Sequence, residues 1–502
     1  MNQTRVDVLV VGSGAGGGTV AARLAPLARE GRRILVLEQG PRLEDREFDG
    51  SETSMPAALY EDGAGFLTAD GTMTLAFGRA YGGSTVVYTG TSLDPPRRVI
   101  EGWGVPGLTH EDLLRRTARY KEENGVHFLP PEEINQNNDL FVDGCRAAGY
   151  TPGQFPVNLR GCRGSSLCNM GCPNGAKQGT NRVQLPAAEA AGVEVVTRAT
   201  VRRLRELPDG GAEAEIEVTA PAAGAKGLPS TWTPGPWRVR AERVVAAGGA
   251  VGSSALLLRS GLGAVVPRLG HGFTCHPAFI LVGEHAAPIT NDVGHPKSFY
   301  LESEAEGWVL ETCMYPPLVT AKNLTGLGPE AASFVEAFPR LQMILVLACD
   351  EAVEGNRIEV DREGRPVVRY GFTPVVRERM AAATRAATRI FFGAGAVRVH
   401  APLADPPVLT ADEAPMDLDV RIHPRHFLPG RTSVSAAHLM GGCGMGTDAT
   451  DSVTDSRGRV HGVPWLRVAD SALFADSVEI NPYLTVMALA DRVAEGILDE
   501  LA

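Results

Sequence analysis

Lysine is scarce in this chain of 502 residues: only five of its 48 basic residues are lysines, against 59 acidic residues and a formal net charge of −11. No broad cationic surface is available to follow a phosphate backbone, so nucleic-acid binding is not expected. Long apolar runs are also missing. The longest, such as Leu341 to Cys349, fall well short of the roughly 20 residues that a membrane-spanning helix needs. The first strand-like run begins at Val6, which leaves no room for a charged leader, an apolar stretch and a cleavage site. A soluble cytoplasmic protein is therefore expected. Eight cysteines are too few for a disulfide scaffold, and most should be reduced thiols packed as small hydrophobes. Aromatic residues at 6% give no sign of a sugar-stacking platform.

What is abundant is glycine, 58 residues, with 35 prolines and no triplet period, which implies tight turns and close backbone approaches. Apolar content of 44% and charged content of 21% are those of a folded chain, and the length suits two or three structural units. No internal repeat is present. An apolar run at Val6–Val11, a glycine turn at Gly12–Gly18, a helical pattern over Thr19–Arg29 and a second run at Ile34–Leu37 make a β-turn-α-β unit, half of a dinucleotide fold. A helical, charged region runs from His110 to Asn124. Strand-like runs at Val193–Val201 and Trp237–Val245 flank a Gly/Ala/Pro-biased segment, Pro208 to Pro236, which reads as the long loop of a hairpin. From Pro277 to Gly430 the texture changes to short or alternating apolar runs (Gln342–Leu347, Ile358–Val360, Val367–Tyr370) with one helix-like stretch, Val376–Phe391. That pattern predicts a separate unit with antiparallel strands. From Ser433 glycine-rich turns return, followed by a final helix over Leu484–Leu501.

Gly12-Ser13-Gly14-Ala15-Gly16-Gly17 fits G-x-G-x-x-G, a pattern that arises by chance about once in a chain this rich in glycine. Context gives it weight. It follows a strand, opens a helix, and Glu38 ends the next strand, where a carboxylate can bond a ribose 2′-hydroxyl and repel a 2′-phosphate. Gly12 and Gly14 permit the turn and the close approach of pyrophosphate to backbone amides at a helix N-terminus. Spacing alone leaves NAD and FAD open.

Three further segments bear on the choice: Gly78-Arg79-Ala80-Tyr81-Gly82-Gly83-Ser84-Thr85, the run from Val245 through Gly248 and Ser253 to Gly261, and the tail motifs around His438 and Asn481. Together they resemble the glucose-methanol-choline (GMC) family of FAD-dependent oxidoreductases over nearly the whole chain. The resemblance implies an α/β fold with a Rossmann-like FAD-binding domain built from discontinuous segments, and an α+β substrate domain whose antiparallel sheet covers the flavin. The corresponding boundaries are 1–276 (with insertions about 95–180) and 431–502 for the FAD-binding domain, and 277–430 for the substrate domain. By the same resemblance Gly12, Gly14, Ala15, Gly17, Glu38, Arg79, Gly82, Gly83, Ser84, Val201, Asp470, Asn481, Pro482 and Thr485 are expected along FAD. Val201 would meet the adenine end through its backbone and Asp470 would lie along the ribityl chain, while Tyr88 stands where the family has Asn.

Ala437-His438-Leu439-Met440-Gly441 and Asn481-Pro482-Tyr483-Leu484-Thr485 look like the family's two active-site signatures. Oxidising an alcohol to an aldehyde or ketone requires removal of the hydroxyl proton while hydride leaves the carbon for the flavin. An imidazole with a reference pKa near 6.5 suits the first task. His438 would be that base, and Asn481 would donate a hydrogen bond to the substrate oxygen. His276, near the expected domain junction, is assigned a structural role. Oxygen or an external acceptor would then reoxidise the cofactor. Relatives on this fold that split hydroxynitriles without net redox, or decarboxylate under light, are the alternatives. A cysteine-based flavin disulfide reductase is excluded, because neither C-x-x-C nor a second dinucleotide fingerprint follows the first motif.

Cys162, Cys168 and Cys172, followed by Pro173, have C-x5-C-x3-C-P spacing, too regular for chance. With Asn174 to Thr180 they resemble the branch that holds long-chain alcohol oxidases, aminoglycoside alcohol oxidases and bacterial sugar dehydrogenases. In the last of these a similar set holds a three-iron, four-sulfur cluster. Three buried thiols or one disulfide fit the spacing as well, whereas zinc would want a fourth ligand.

Overall fold

Val8, Leu9 and Val10 are wholly buried, as are Leu35 and Val36 on the neighbouring strand, because apolar residues on both faces of a strand can be satisfied only between two layers. Each side chain of this size contributes about 1.5–3 kcal/mol on full burial. The computed structural model describes residues 2–324, 329–403, 408–412 and 418–501. Its first sheet has seven strands, in the order Glu194–Val196, Ile34–Leu37, Asn2–Val11, Gly235–Ala246, Ala212–Val218, Ala199–Glu206, with Leu466–Val468 also on Gly235–Ala246. Pairing is parallel from Glu194–Val196 through to Gly235–Ala246 and on to Leu466–Val468. The helices Ala15–Arg29 and Tyr483–Leu501 pack together over this sheet.

The segment expected as one long hairpin loop contains a strand of its own. Ala212–Val218 pairs antiparallel with both flanking strands, making a three-stranded meander. Its sequence, AEAEIEV, alternates buried and half-exposed positions, a period-2 signal masked by the Gly/Pro-rich residues after it.

Among the described residues the second sheet has nine strands. Seven follow one path: Val408–Thr410, Arg398–His400, Ala278–Glu284, Leu341–Ala348, Trp308–Thr312, Phe299–Ser303, Gly153–Gln154. Along that path every pairing is antiparallel, as the texture of the segment after Pro277 predicts. One face, carrying Leu301, Trp308, Leu310, Ile344 and Val346, forms a core with the helix Pro374–Gly393. The helix Gln136–Ala147 packs on the same helix, so the region before residue 180 contributes to this layer as well. Ser435–Ala436 joins Ala278 on one side and Thr74–Leu75 on the other, which ties both the early Thr74–Leu75 strand and the segment just before His438 to the second sheet. Among the described residues no helix is long and apolar enough to cross a membrane.

Candidate active site

Four chain segments meet at the C-terminal ends of the parallel strands, where ligands of open α/β sheets bind. Gly12 adopts φ +105°, and a Cβ there would lie 2.3 Å from the Ala247 carbonyl oxygen, while one on Gly17 would lie 2.0 Å from that of Gly12. These glycines are demanded by packing. Gly14 is different: a Cβ on it would find only the Gly83 Cα, at 3.8 Å. The helix that opens at Ala15 has no side-chain cap and no acidic residue in its first turn, so its free amides face the groove uncommitted. Gly82 and Gly83 are buried against this turn, whereas Ser84 beside them is exposed.

Glu38 sits at the end of its strand as expected, with Oε2 accepting from Ser13 N at 3.1 Å and Ser13 Oγ at 2.6 Å, and Oε1 accepting from Gly40 N at 2.8 Å. Burial pushes its carboxyl up, and those hydrogen bonds with the Arg79 charge pull against the rise. Asp470 is held by Gly249 N at 2.8 Å, Ser253 Oγ at 2.5 Å and Ala472 N at 2.8 Å; burial takes it up to about 6. It ties the turn after Leu466–Val468 to the start of the helix Gly249–Arg259. Val201 is a buried strand valine paired with Ile216, and Arg79 reaches toward Glu61 at 3.6 Å. Pro482 accepts from Val486 N within the helix start, and Thr485 Oγ1 is buried with no hydrogen-bond partner. Tyr88, in the family's Asn position, joins a buried polar group: its hydroxyl accepts from Asn158 Nδ2, and its ring lies 4.9 Å from that of Tyr483.

The second sheet supplies a wall. Residues alternate across a strand, so Tyr300 and Glu302, Val309 and Glu311, and Leu347 with Cys349 after it all present to one face. The register aligns Tyr300 with Glu311, and Glu302 with Val309 and then Leu347. With Leu93, His276, His438, Glu479, Ile480 and Asn481 they line a narrow cavity of about 10 Å³. Two of its residues, His276 (φ +49°) and Glu479 (φ +63°), have left-handed backbone although neither is glycine. Strain of this kind costs on the order of 1–3 kcal/mol and gathers at functional sites.

His438 and Asn481, 43 positions apart, meet in that cavity, with Asn481 Nδ2 at 3.3 Å from His438 Nε2 and at 3.0 Å from Glu311 Oε1. On the other side His438 Nδ1 lies 3.1 Å from His276 Nδ1, and His276 Nε2 lies 2.7 Å from Ser477 Oγ. Asn481 Nδ2 can only donate and the Glu311 carboxylate only accepts. His438 Nε2 is therefore the acceptor, its proton sits on Nδ1 and points at His276, and His276 donates from Nε2 to Ser477. The hydrogen-bond network fixes both tautomers. His438 keeps contact with the open cavity, yet enclosure by protein pushes its imidazole down to about 3, with the Lys297 charge adding to the fall. His276 is driven well below its ordinary value by burial and then by His438. His276 thus belongs to the polar floor of the cavity, beyond the structural role expected of it. Glu311 and Lys297, which the motifs do not reveal, form a buried ion pair with side chains 1% and 9% exposed.

Cys162, Cys168 and Cys172 are free thiols. Among the described residues no three His, Cys, Asp or Glu side chains converge where a metal could sit. The disulfide alternative is not formed. Cys168 is buried, and burial pushes its thiol up to about 12. Lys177 ties the loop together, donating to the carbonyls of Val86, Tyr88 and Cys168 at 2.7, 2.6 and 2.5 Å.

A glycine-cradled turn at the ends of the parallel strands thus faces an antiparallel wall with an imidazole and an amide on the cavity floor. Two family models described as GMC oxidoreductase match residues 56–278 and 353–490. An uncharacterized GMC-type oxidoreductase of Mycobacterium tuberculosis (strain ATCC 25618 / H37Rv) is 33% identical over 98% of this chain and 76% of its own. The chain belongs to the GMC oxidoreductase family, and it is an enzyme of that flavoprotein class. A long-chain-alcohol oxidase of Arabidopsis thaliana is 25% identical over 99% of this chain and 68% of its own. Among solved structures, pyridoxine 4-oxidase from Mesorbium loti shares the fold, with a TM-score of 0.72, 18% identity, and coverage of 98% of this chain and 99% of that one.

Proposed function

We propose that this enzyme oxidises an alcohol to an aldehyde or ketone with FAD, His438 acting as the base and Asn481 as the donor to the substrate oxygen. In this reading residues 1–276 and 431–502 hold FAD and residues 277–430 wall the substrate. The residues present fit that cofactor. Gly14 leaves the turn open to a phosphate, the first helical turn offers uncommitted amides, Ser84 is exposed between buried neighbours, and Thr485 Oγ1 is buried without a partner. Gly12, Ala15, Gly17, Glu38, Arg79, Gly82, Gly83, Val201, Asp470 and Pro482 would line the remainder of its path. When bound, FAD supplies the two-electron acceptor that no side chain can provide.

The observation that carries the reading is the 3.3 Å approach of His438 Nε2 and Asn481 Nδ2 on the cavity floor. An alcohol hydroxyl entering there would displace this contact, accepting the Asn481 N–H and offering its own proton to the His438 Nε2 lone pair. His438 at about 3 is unprotonated at any working pH, and so weak a base takes the hydroxyl proton only as hydride leaves the carbon. The Nδ1 contact to His276 fixes the ring so that Nε2 remains the receiving atom, and Leu93, Val309, Leu347 and Ile480 keep water from competing. Oxygen or an external acceptor then completes the cycle. Anaerobic mixing of the holoenzyme with a panel of primary and secondary alcohols is the test: the oxidised flavin absorbance should bleach. Full bleaching by dithionite with none by any alcohol would defeat the reading.

A further inference from the structure

Asn481 is useful only in one orientation. Its amide oxygen and nitrogen are nearly the same size, so packing alone does not distinguish the two ends. The nitrogen end must face His438 Nε2; turned round, the oxygen would face it, and the imidazole would have to move its proton to Nε2 and lose the lone pair there. Something must choose.

We propose that the buried Lys297–Glu311 pair sets the direction of the Asn481 amide and, through it, the tautomer of His438. The proposal rests on His438 being the base. Glu311 Oε1 accepts from Asn481 Nδ2 at 3.0 Å, and a carboxylate offers no donor that an amide oxygen could meet. Glu311 Oε2 accepts from Lys297 Nζ, which supplies the counter-charge that burial demands. The groups facing the Glu311 carboxylate are Lys297, Asn481, His276 and His438, with Cys313 and Tyr315 on the following chain. Lys297 is the one with a standing positive charge. Glu311 reaches the His438 base through Asn481; in this role it is a positioning residue.

The logic makes an unusual prediction about rescue. In Glu311→Gln the Lys297 ammonium, a donor only, holds the new amide oxygen, so the Gln nitrogen faces Asn481. Asn481 turns over, His438 Nε2 becomes protonated, and both donor and base are lost. Removing Lys297 as well, in Glu311→Gln/Lys297→Met, frees the Gln to turn its oxygen to Asn481 Nδ2 and restores the original direction. Anaerobic stopped-flow reduction of the holoenzyme by an alcohol that bleaches the wild type reads this, with FAD content and thermal midpoint as controls. Glu311→Gln should lower the reduction rate about 10²-fold, the scale for losing one positioned donor, with the substrate concentration for half-saturation changed less than about 3-fold. The double variant should recover at least about 10-fold of the loss. A role in structure alone predicts that the second substitution makes matters worse. A wild-type rate in Glu311→Gln, or a double variant no faster than the single one, overturns the proposal. His438→Ala run alongside separates the failures: unchanged reduction there sinks the base itself, whereas a slow His438→Ala with a fast Glu311→Gln sinks only the positioning pair.

Discussion

Two glycines of one turn should respond in opposite ways to the same methyl group. In Gly17→Ala the Cβ would fall 2.0 Å from the Gly12 carbonyl oxygen, a backbone atom that cannot swing aside, so the strand and helix must separate. Overpacking of a rigid site costs about 1–3 kcal/mol and often more. In Gly14→Ala the Cβ meets only the Gly83 Cα at 3.8 Å, and Gly14 has φ −64°, which any residue adopts. The unfolded chain of Gly14→Ala loses conformational freedom, so the apoprotein should match the wild type or gain up to about 1 kcal/mol. In the proposed cofactor path the methyl would nevertheless stand where phosphate oxygens approach the amides of the first turn. Loss of one charge-assisted hydrogen bond there, about 1.5–3 kcal/mol, weakens FAD by roughly 10- to 150-fold. Thermal unfolding of FAD-stripped protein followed by tryptophan fluorescence measures the first quantity, and titration with FAD the second. Gly14→Ala with unaltered FAD affinity would refute the assignment of this turn to the cofactor, whereas equal destabilisation by both substitutions would refute the distinction drawn from the geometry.

His438→Ala should retain FAD and slow its reduction by alcohol roughly 10²–10⁴-fold, the usual contribution of a positioned base; stopped-flow absorbance decides it. Because enclosure lowers His438 to about 3, its lone pair is present above that value and is lost only as pH falls through it. The reduction rate should therefore show no acid limb near 6.5 between pH 5 and 8, and a limb with that midpoint would mean that the imidazole is solvated in the working enzyme. Lys177→Met removes the donor shared by the Val86, Tyr88 and Cys168 carbonyls. Stranding those acceptors, less the cost of burying the ammonium, should destabilise the protein by about 2–4 kcal/mol. An unchanged urea midpoint and slope would contradict it.

The elements legible in the sequence are those whose partners lie close along the chain. The Val6–Val11 and Ile34–Leu37 runs, the turn between them and the long helices near Val376 and Leu484 carry their own periodicity, and the structure extends each by a few residues at most. His438 and Asn481 were visible because each sits in a patterned neighbourhood of glycine or proline. The strand Ala212–Val218 was lost because its three polar positions and the following Gly/Pro-rich stretch look like loop until its two neighbours are placed beside it. The spacing of the cysteine set was legible, but nothing along the chain shows that Lys177 gathers this loop through backbone carbonyls, Cys168 among them, while Cys168 is buried as a thiol.

His276, Lys297 and Glu311 show a different limit. Glu311 lies on Trp308–Thr312, a strand buried at every position, and period-2 alternation puts it on the face of Val309. A carboxylate inside such a run, and one of only five lysines lying 14 residues earlier, constitute a signal, since burying either charge alone would cost several kcal/mol. Read singly, each residue passes for a strand end reaching solvent. Only the antiparallel register of Phe299–Ser303 on Trp308–Thr312, together with the return of the chain through Ser435–Ala436, sets the pair beneath Asn481. A charge buried against its hydration is kept in place by the work it does for a neighbour. Here that neighbour is an amide that must point its nitrogen at an imidazole.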